Sequence, residues 1–115
     1  MTKITFIYDL NLIVGFKMEG HAGYNVNGPD IVCSALSATS QMVLNGILDW
    51  SGLEFNDVVK ECNAKEGTFE IEVPDELGNG VVIQQLFKAF ELYMDDLEEQ
   101  YKENITIERR QKDDL

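Results

Sequence analysis

The stretch from Asp30 to Trp50 constrains the fold more than any other part of the chain. It contains no proline and a single glycine, and its apolar residues recur at helical spacing. They form two rows, one of Ile31, Ala35, Ala38 and Met42 and one of Val32, Leu36, Val43 and Ile47. A helix that is apolar around so much of its circumference has to be covered on two sides. We therefore expect a sheet on one side of it and a second surface on the other.

Alternating apolar and polar residues before and after this helix predict the strands of that sheet. Lys3–Tyr8 and Leu12–Met18 both alternate and are separated by the polar turn Asp9–Asn11, which predicts a hairpin. Thr68–Val73 is a further alternating segment. The apolar residues of Leu53–Ala64 do not keep one parity, so we interpret this segment as a strand with a bulge.

The last third of the chain predicts a second helix and a short final strand. Val81–Tyr101 keeps helical spacing, with apolar positions facing the core and acidic positions facing solvent. The expected core positions are Val82, Leu86, Phe90, Tyr93 and Leu97, and the expected solvent positions are Glu91, Asp95, Glu98 and Glu99. Ile105–Glu108 alternates like a strand, and residues 109–115 are interpreted as a charged, frayed tail.

These segments predict one α+β domain over residues 1–108, followed by the tail at 109–115. Two main helices would cover a mostly antiparallel or mixed sheet, in the order β-β-α-β-β-α-β. A chain of 115 residues is long enough for one domain with a buried core and too short for two.

The net charge of −12, from 21 acidic and 9 basic residues, limits the partners of the protein. A surface this acidic repels phosphate backbones, so we expect no direct binding to nucleic acid. It attracts a basic protein partner, although composition alone favours the simpler interpretation that the acidity keeps a small protein soluble.

Composition also sets expectations for location and cofactors. No apolar run approaches the roughly 20 residues of a membrane span, so no membrane partner is expected. The amino terminus shows no signal-peptide pattern, and two cysteines without an export signal predict free thiols in a reducing cytoplasm. One histidine and two cysteines are too few soft ligands for zinc, so we expect neither a metal nor another cofactor.

The histidine, His21, and one cysteine, Cys33, are separated by a glycine-rich loop at residues 20–28. If the helix begins near Pro29, Cys33 lies about one turn inside it, where the positive end of the helix dipole favours a thiolate. A histidine next to a mobile loop can reach that thiol and exchange its proton. Thiolate attack on a carbonyl, with imidazole protonating the leaving amine, is the chemistry of a cysteine hydrolase.

Asp30 and Ser37 lie three residues before and four residues after Cys33, on the same helix face. Asp30 is a candidate to orient His21, and Ser37 is a candidate to donate a hydrogen bond within the site. Simpler interpretations stay open, because a cysteine in an apolar helix is usually a small core residue. Cys62 has no histidine near it in the sequence, so we interpret it as a structural strand thiol.

The residues around His21 and Cys33 also form a specific motif. It consists of Gly20-His21-Ala22-Gly23-Tyr24, Gly28-Pro29-Asp30-Ile31-Val32-Cys33 and Ala35-Leu36-Ser37-Ala38. This motif resembles the signature of the ribosomal-processing cysteine protease Prp family, also called YsxB-like. The resemblance covers nearly the whole chain, including its length, the opening hairpin and the late amphipathic helix. A minor departure is Ser34, where members of the family often carry alanine.

The resemblance implies a cytoplasmic cysteine endopeptidase that removes a short amino-terminal extension from the large-subunit ribosomal protein L-twenty-seven during ribosome assembly. It implies His21 and Cys33 as the catalytic dyad, with Asp30 and Ser37 as supporting residues. The loop residues implied to cover the substrate are Gly20, Gly23, Tyr24, Val26 and Gly28. The implied substrate is a basic ribosomal protein whose cleaved segment ends in an apolar Phe-Phe-Ala-like motif, and family members look like homodimers.

Two other functions stay open from the sequence. One is a non-catalytic ribosome-assembly adaptor that binds a basic ribosomal protein through the acidic surface. The other is a thiol redox sensor that uses Cys33.

Overall fold

Five strands form one sheet, and the long helices cover one face of it. The computed structural model describes residues 1–20 and 27–114, without the side chains of residues 27–30 and 114. In chain order the elements are β1 (Thr2–Asp9), β2 (Leu12–Glu19), α1 (Asn27–Ser51), α2 (Phe55–Val58), β3 (Val59–Asn63), β4 (Thr68–Glu72), α3 (Val81–Gln100) and β5 (Ile105–Gln111). Short 3₁₀ turns follow β4 at Asp75–Leu77 and β5 at Lys112–Asp114.

The sheet is mixed, with the strand order β3-β4-β2-β1-β5. Neighbouring strands are antiparallel except β1 and β5, which are parallel. Parallel neighbours need a long connection, and here that connection includes both long helices and the β3–β4 hairpin. The predicted α+β class and the predicted order of strands and main helices are therefore confirmed, and one short helix, α2, is added before β3.

Aromatic side chains join the sheet to α3. The rings of Phe16 and Phe90 have centroids 4.5 Å apart, and Phe6 and Phe90 meet edge to face at 5.8 Å. Phe87 meets Phe16 at 6.3 Å, nearly perpendicular to it. Edge-to-face and tilted ring pairs add to the free energy that burial itself supplies. These rings hold α3 against the middle of the sheet.

The two apolar rows of α1 have different environments. Val32, Leu36, Val43 and Ile47 are buried in the core, so this row is the one that faces the sheet. In the other row, Ile31 is 52% exposed and Met42 is 64% exposed. The second surface that we expected to cover this row is absent among the residues that the structure describes.

The length and composition of α1 also qualify one expectation from the sequence. By length and composition alone, Ile31–Ser51 is long and apolar enough to cross a membrane, whereas we expected no such segment. About a third of it is buried inside the protein. The buried residues belong to the core next to the sheet, so α1 is the core helix of an α+β fold.

The segment Leu53–Ala64 is partly helical, which corrects the prediction of a bulged strand throughout. One helical turn, α2, begins with a capping box, in which Glu54 and Asp57 exchange backbone-to-side-chain hydrogen bonds. Strand β3 then begins at Val59, and its pairing with β4 shifts register between Val59 and Glu61. The broken parity in the sequence thus reflects both a helical turn and an irregular strand.

Helix α3 is rotated by about one residue from the predicted orientation. Its buried residues are Ile83, Phe87, Phe90, Glu91, Met94 and Leu97. Val82 and Tyr93, which we expected in the core, are 37% and 40% exposed. Both faces have apolar residues at helical spacing, and the one with the larger side chains packs on the sheet. Glu91, expected in solvent, is therefore carried into the protein.

Strand β5 continues to Gln111, so the prediction that a frayed tail begins at residue 109 is wrong. β1 pairs with β5 along the whole length of β5, from Thr2 opposite Ile105 to Tyr8 opposite Gln111. The side chain of Gln111 also exchanges two hydrogen bonds with the backbone of Leu10, both 3.0 Å long. Local charge in the sequence does not reveal such a long-range partner.

Candidate active site

A cleft of about 280 Å³ lies between α1 and the β3–β4 hairpin, and Cys33 opens into it. The side formed by α1 contributes Cys33, Leu36, Ser37, Ser40 and Gln41, and the hairpin contributes Cys62, Asn63, Ala64, Gly67, Thr68 and Phe69. Thr2, Met18 and Gly20 close the end at the first two strands. Among the described residues, none that lines the cleft is charged, although 26% of the chain is charged. The cleft therefore fits an uncharged segment of a ligand.

Cys33 and Ser37 are brought together as the sequence predicts. Cys33 is half-buried and packs against the core, and Ser37 is exposed one turn later on α1. The helix begins at Asn27, earlier than the expected start near Pro29, so Cys33 lies beyond the first turn. The helix dipole acts mainly on groups in the first turn of a helix. Its effect on the Cys33 side chain is therefore smaller than we expected. A nearby base has more to contribute to activating the thiol.

Gly20 ends β2 at the edge of the cleft, in a conformation that favours glycine. Its φ is +85°, and a Cβ atom built on it would lie 2.8 Å from the carbonyl oxygen of Met1. A side chain there is disfavoured both by the backbone angle and by this contact. Glycine thus lets the chain turn directly before His21 in the sequence.

The floor of the cleft is a row of neighbouring residues across the sheet. Cys62 is paired with Phe69, Phe69 with Met18, and Met18 with Ile4. Residues directly opposite each other on adjacent strands point to the same face of a sheet. Phe69 and Met18 therefore present an apolar floor towards α1, next to Cys33.

Several predicted site residues lie outside what the structure describes. These are His21, Gly23, Tyr24 and Val26, together with the side chain of Asp30. The backbone of Gly28 and Asp30 belongs to the first turn of α1. Because the loop between them is expected to move, we also predict that His21 and Cys33 stand beyond hydrogen-bond reach without substrate, and this prediction falls on the same residues outside the described structure. The structure thus describes Cys33, Ser37 and Gly20 of the predicted site and brings all three to one cleft.

Cys62 is the cleft residue that sequence reasoning assigned to another role. We interpreted it as a structural strand thiol, but it is exposed and lines the same cleft as Cys33. Alternation along β3 is interrupted by the register shift, so the sequence pattern does not show which face Cys62 occupies. Only the pairing of Cys62 with Phe69 in the folded sheet shows which face Cys62 occupies.

A cluster of charged side chains around Glu91 lies at the opposite end of β1 from the cleft. The buried carboxylate of Glu91 accepts hydrogen bonds from the Tyr8 hydroxyl, from Lys88 Nζ at 2.8 Å and from Arg109 Nε at 3.1 Å. Burial alone would raise the pKa of Glu91, but these donors outweigh it and the pKa lies below its ordinary value. A carboxylate held in this way joins α3 to β1 and β5. We assign it a structural role.

The known proteins to which this chain is similar are cysteine proteases, in agreement with a cysteine that lines the cleft. A family model described as "Cysteine protease Prp" matches residues 1–106. The ribosomal processing cysteine protease Prp of Bacillus subtilis (strain 168) is 26% identical over 97 residues, which cover 83% of this chain and 84% of that protein.

Among the residues described here, no group of three or more metal-ligating side chains is assembled.

Two solved structures show the same fold. The crystal structure of SMU.848 from Streptococcus mutans has a TM-score of 0.84 at 26% identity, over 97% of this chain and 96% of that one. An essential ribosomal processing protease Prp from Staphylococcus aureus, in complex with a covalently linked product peptide, has a TM-score of 0.76 at 26% identity, over 96% of this chain and 100% of that one. Because the family match spans nearly the whole sequence, this chain belongs to the cysteine protease Prp family.

Proposed function

We propose that this protein is a cytoplasmic endopeptidase that removes a short amino-terminal extension from a ribosomal protein during ribosome assembly, with Cys33 and His21 as its catalytic dyad. The observation that carries the proposal is the position of Cys33, which lines a cleft with an apolar floor and with no charged side chain among the described residues. The Bacillus subtilis and Staphylococcus aureus relatives are both described as ribosomal processing proteases, which supports the substrate class.

The chemistry follows from the two side chains. The imidazole of His21 takes the proton of the Cys33 thiol, and the Sγ thiolate attacks the scissile carbonyl carbon. The tetrahedral intermediate collapses as His21 returns the proton to the leaving amine, which leaves a thioester on Cys33. Water, deprotonated by His21, then hydrolyses the thioester and frees the thiol. The product peptide covalently linked to the Staphylococcus aureus relative is in keeping with covalent catalysis in this family.

Asp30 and Ser37 have supporting roles in this proposal. Asp30 orients the imidazole of His21 and stabilises its protonated form. Ser37 lines the cleft one turn after Cys33 and donates a hydrogen bond to the substrate backbone. The loop residues Gly23, Tyr24, Val26 and Gly28, with Gly20 at the loop's start, cover the bound peptide.

Two properties of the chain fit the proposed substrate. An apolar Phe-Phe-Ala-like segment transfers favourably into a cleft that is floored by Met18 and Phe69 and lined by no described charge. Ribosomal proteins are basic, and a net charge of −12 accelerates their encounter with this protein at low salt. Apolar contacts thus select the cleaved segment, and the surface charge attracts the rest of the substrate.

The test is cleavage of a synthetic peptide that spans a Phe-Phe-Ala motif. Cys33→Ala removes the nucleophile, and we expect it to lower kcat/KM by at least about 10³-fold. Ser34→Ala is the matched control, because Ser34 is exposed on the same helix and does not line the cleft. Cleavage that survives Cys33→Ala would overturn the proposal.

The runner-up function, a non-catalytic assembly adaptor, predicts a different result. The adaptor would bind the peptide or a basic ribosomal protein without cleaving it, and Cys33→Ala would leave that binding unchanged. The cleft favours the protease, because an adaptor that acts through acidic surface has no use for a thiol in an uncharged groove.

The second copy of a homodimer is the partner that we propose for the exposed row of α1. A nearly wholly apolar groove lies between α1 and α3, lined by Thr39, Met42, Val43, Leu86, Ala89, Phe90 and Tyr93. From Ile31 to Leu48, α1 has no charged residue. Two molecules of charge −12 repel each other, so they associate most favourably through an uncharged face.

A further inference from the structure

A second thiol, that of Cys62, lines the same cleft as Cys33. Cys62 lies on β3, on the hairpin side, while Cys33 lies on α1, on the helix side, and both line the same space. Cys62 is paired with Phe69 on β4, so its side chain points to the sheet face that Phe69 shares with α1. Both cysteines are free thiols, Cys62 exposed and Cys33 half-buried.

We propose that Cys62 is a resolving cysteine, which captures oxidised Cys33 in a reversible disulfide and closes the cleft. The proposal rests on the proposed function in one respect, that Cys33 is the reactive nucleophile. A thiol activated by a base is also the thiol that peroxides oxidise first. The structure adds a second thiol in the same cleft, which a cysteine protease does not need for its reaction.

The reaction balances with a peroxide as the oxidant. The Cys33 thiolate attacks hydrogen peroxide and becomes a sulfenic acid, and hydroxide leaves and is protonated to water. The Cys62 thiolate then attacks the Cys33 sulfur, the S–S bond forms, and a second water leaves. The two electrons come from the two thiols and reduce one peroxide to two waters. A small-molecule dithiol reverses the step by thiol–disulfide exchange.

The two sides of the cleft differ in how readily they can move. Cys33 is fixed, because α1 is packed into the core through Val32, Leu36 and Ile47. β3 is an edge strand with a single strand neighbour, β4, and the residues from Lys60 to Asn63 are exposed. A disulfide requires Cα atoms about 4.4–6.8 Å apart, so its formation draws the edge strand towards the helix. The cleft then has no room for a peptide, and Cys33 is protected from irreversible oxidation.

The experiment treats the purified full chain with hydrogen peroxide and follows intact mass, peptide mapping and peptide cleavage. The wild type is expected to lose the mass of two hydrogen atoms and to yield a cross-linked Cys33–Cys62 peptide. Its cleavage activity falls with the cross-link and returns after dithiothreitol. Cys62→Ser is expected to gain oxygen atoms on Cys33 instead, and to recover much less of its own starting activity.

Each outcome decides the proposal. A wild type that keeps both thiols alkylatable after peroxide, or that accumulates sulfinic acid on Cys33 as Cys62→Ser does, would overturn it. A disulfide between two molecules, seen as a doubled mass, would overturn it as well. Cys62→Ala is the second variant, in case Ser at this strand position disturbs folding. Because the cross-link is read by mass, its presence in a protein that cleaves no peptide would sink the protease proposal and leave this one standing.

Discussion

Gly20 shows how a single residue without a side chain shapes the edge of the cleft. Its φ of +85° and its approach to the Met1 carbonyl both act against a Cβ atom. We expect Gly20→Ala to lower the free energy of unfolding by about 1–3 kcal/mol. Cleavage activity should fall as well, because the substitution shifts the point from which residue 21 leaves the strand.

Gly52 provides the matched control for Gly20. Its φ is +73°, but a Cβ atom built on it meets nothing within 4 Å, and it lies outside the cleft. Gly52→Ala therefore carries the backbone strain without the clash, and its activity should be unchanged. Urea unfolding measures the stability of both variants, and peptide cleavage measures their activity. Equal losses of activity in the two variants would show that Gly20 has no special role at the cleft.

Tyr8 is a residue whose titration links pH to stability. Burial, followed by the hydrogen bond to Glu91, raises the pKa of Tyr8 from 10.0 to about 12. Between these values an unfolded tyrosine has lost its proton while the folded one keeps it. The unfolded state then binds fewer protons, so the contribution of Tyr8, complete below pH 10, is lost as pH rises towards 12.

Tyr8→Phe removes this titration, so we expect the variant to lose less stability than the wild type as pH rises through that window. Denaturant midpoints measured just below pH 10 and near pH 12 give the comparison. Tyr101→Phe, at a tyrosine outside the groove between α1 and α3 and away from Glu91, is the control and should follow the wild type. If Tyr8→Phe also follows the wild type, the Tyr8–Glu91 hydrogen bond does not set the alkaline limit.

Among the elements, α3 is also joined to β2 by hydrogen bonds from the side chain of Gln84. Its Oε1 accepts from the backbone N–H of Ile13 at 3.0 Å, and its Nε2 donates to the carbonyl oxygens of Ile13 at 2.7 Å and Gly78 at 2.6 Å. Ile13 lies next to the point where the β1–β2 register shifts, so its backbone groups need a partner outside the ladder. Gln84 supplies that partner.

Gln84→Ala leaves buried backbone groups of Ile13 without these bonds, and we expect a loss of about 1–3 kcal/mol in the free energy of unfolding. Gln85→Ala is the control, because Gln85 is the next residue on the same helix and is exposed. Urea denaturation measures both variants. A loss of equal size in Gln85→Ala would mean that helix propensity, rather than the contact with β2, accounts for the effect.

For the whole molecule, we propose that two copies associate through the exposed apolar face of α1 and α3. Met42 lines the groove on this face and is 64% exposed. Met42→Glu would place an unpaired carboxylate in the proposed interface, where burial is costly. We expect the dissociation constant of the dimer to rise by at least about tenfold, an effect of about 1.4 kcal/mol. Analytical ultracentrifugation over a concentration series measures it.

Asn11→Glu is the control for that prediction. Asn11 is exposed in the turn between β1 and β2, outside the groove, and the substitution adds the same charge. It should leave the dissociation constant near that of the wild type. A wild type that stays monomeric throughout the concentration series would refute the proposed dimer, and equal weakening by both variants would show that net charge alone controls association.

The sequence by itself determined most of the helices and strands, and its motif identified the family. Periodicity located both long helices and four of the five strands to within a few residues, because spacing along a chain directly reports which side of an element is apolar. The short motif around residues 20–38 pointed to the family, and the family match over residues 1–106 confirms it. These are local signals, and a single sequence carries them in full.

Tertiary structure decided what depends on a distant partner. The carboxylate of Glu91 is stabilised inside the protein because two distant donors, the Tyr8 hydroxyl and Arg109 Nε, bind it. Residues 109–111 form a strand because β1 pairs with them. Cys62 lines the same cleft as Cys33 because β4 places it in register with Phe69. Burial, pairing and register arise from contacts between residues far apart in sequence, and no local pattern of spacing encodes them.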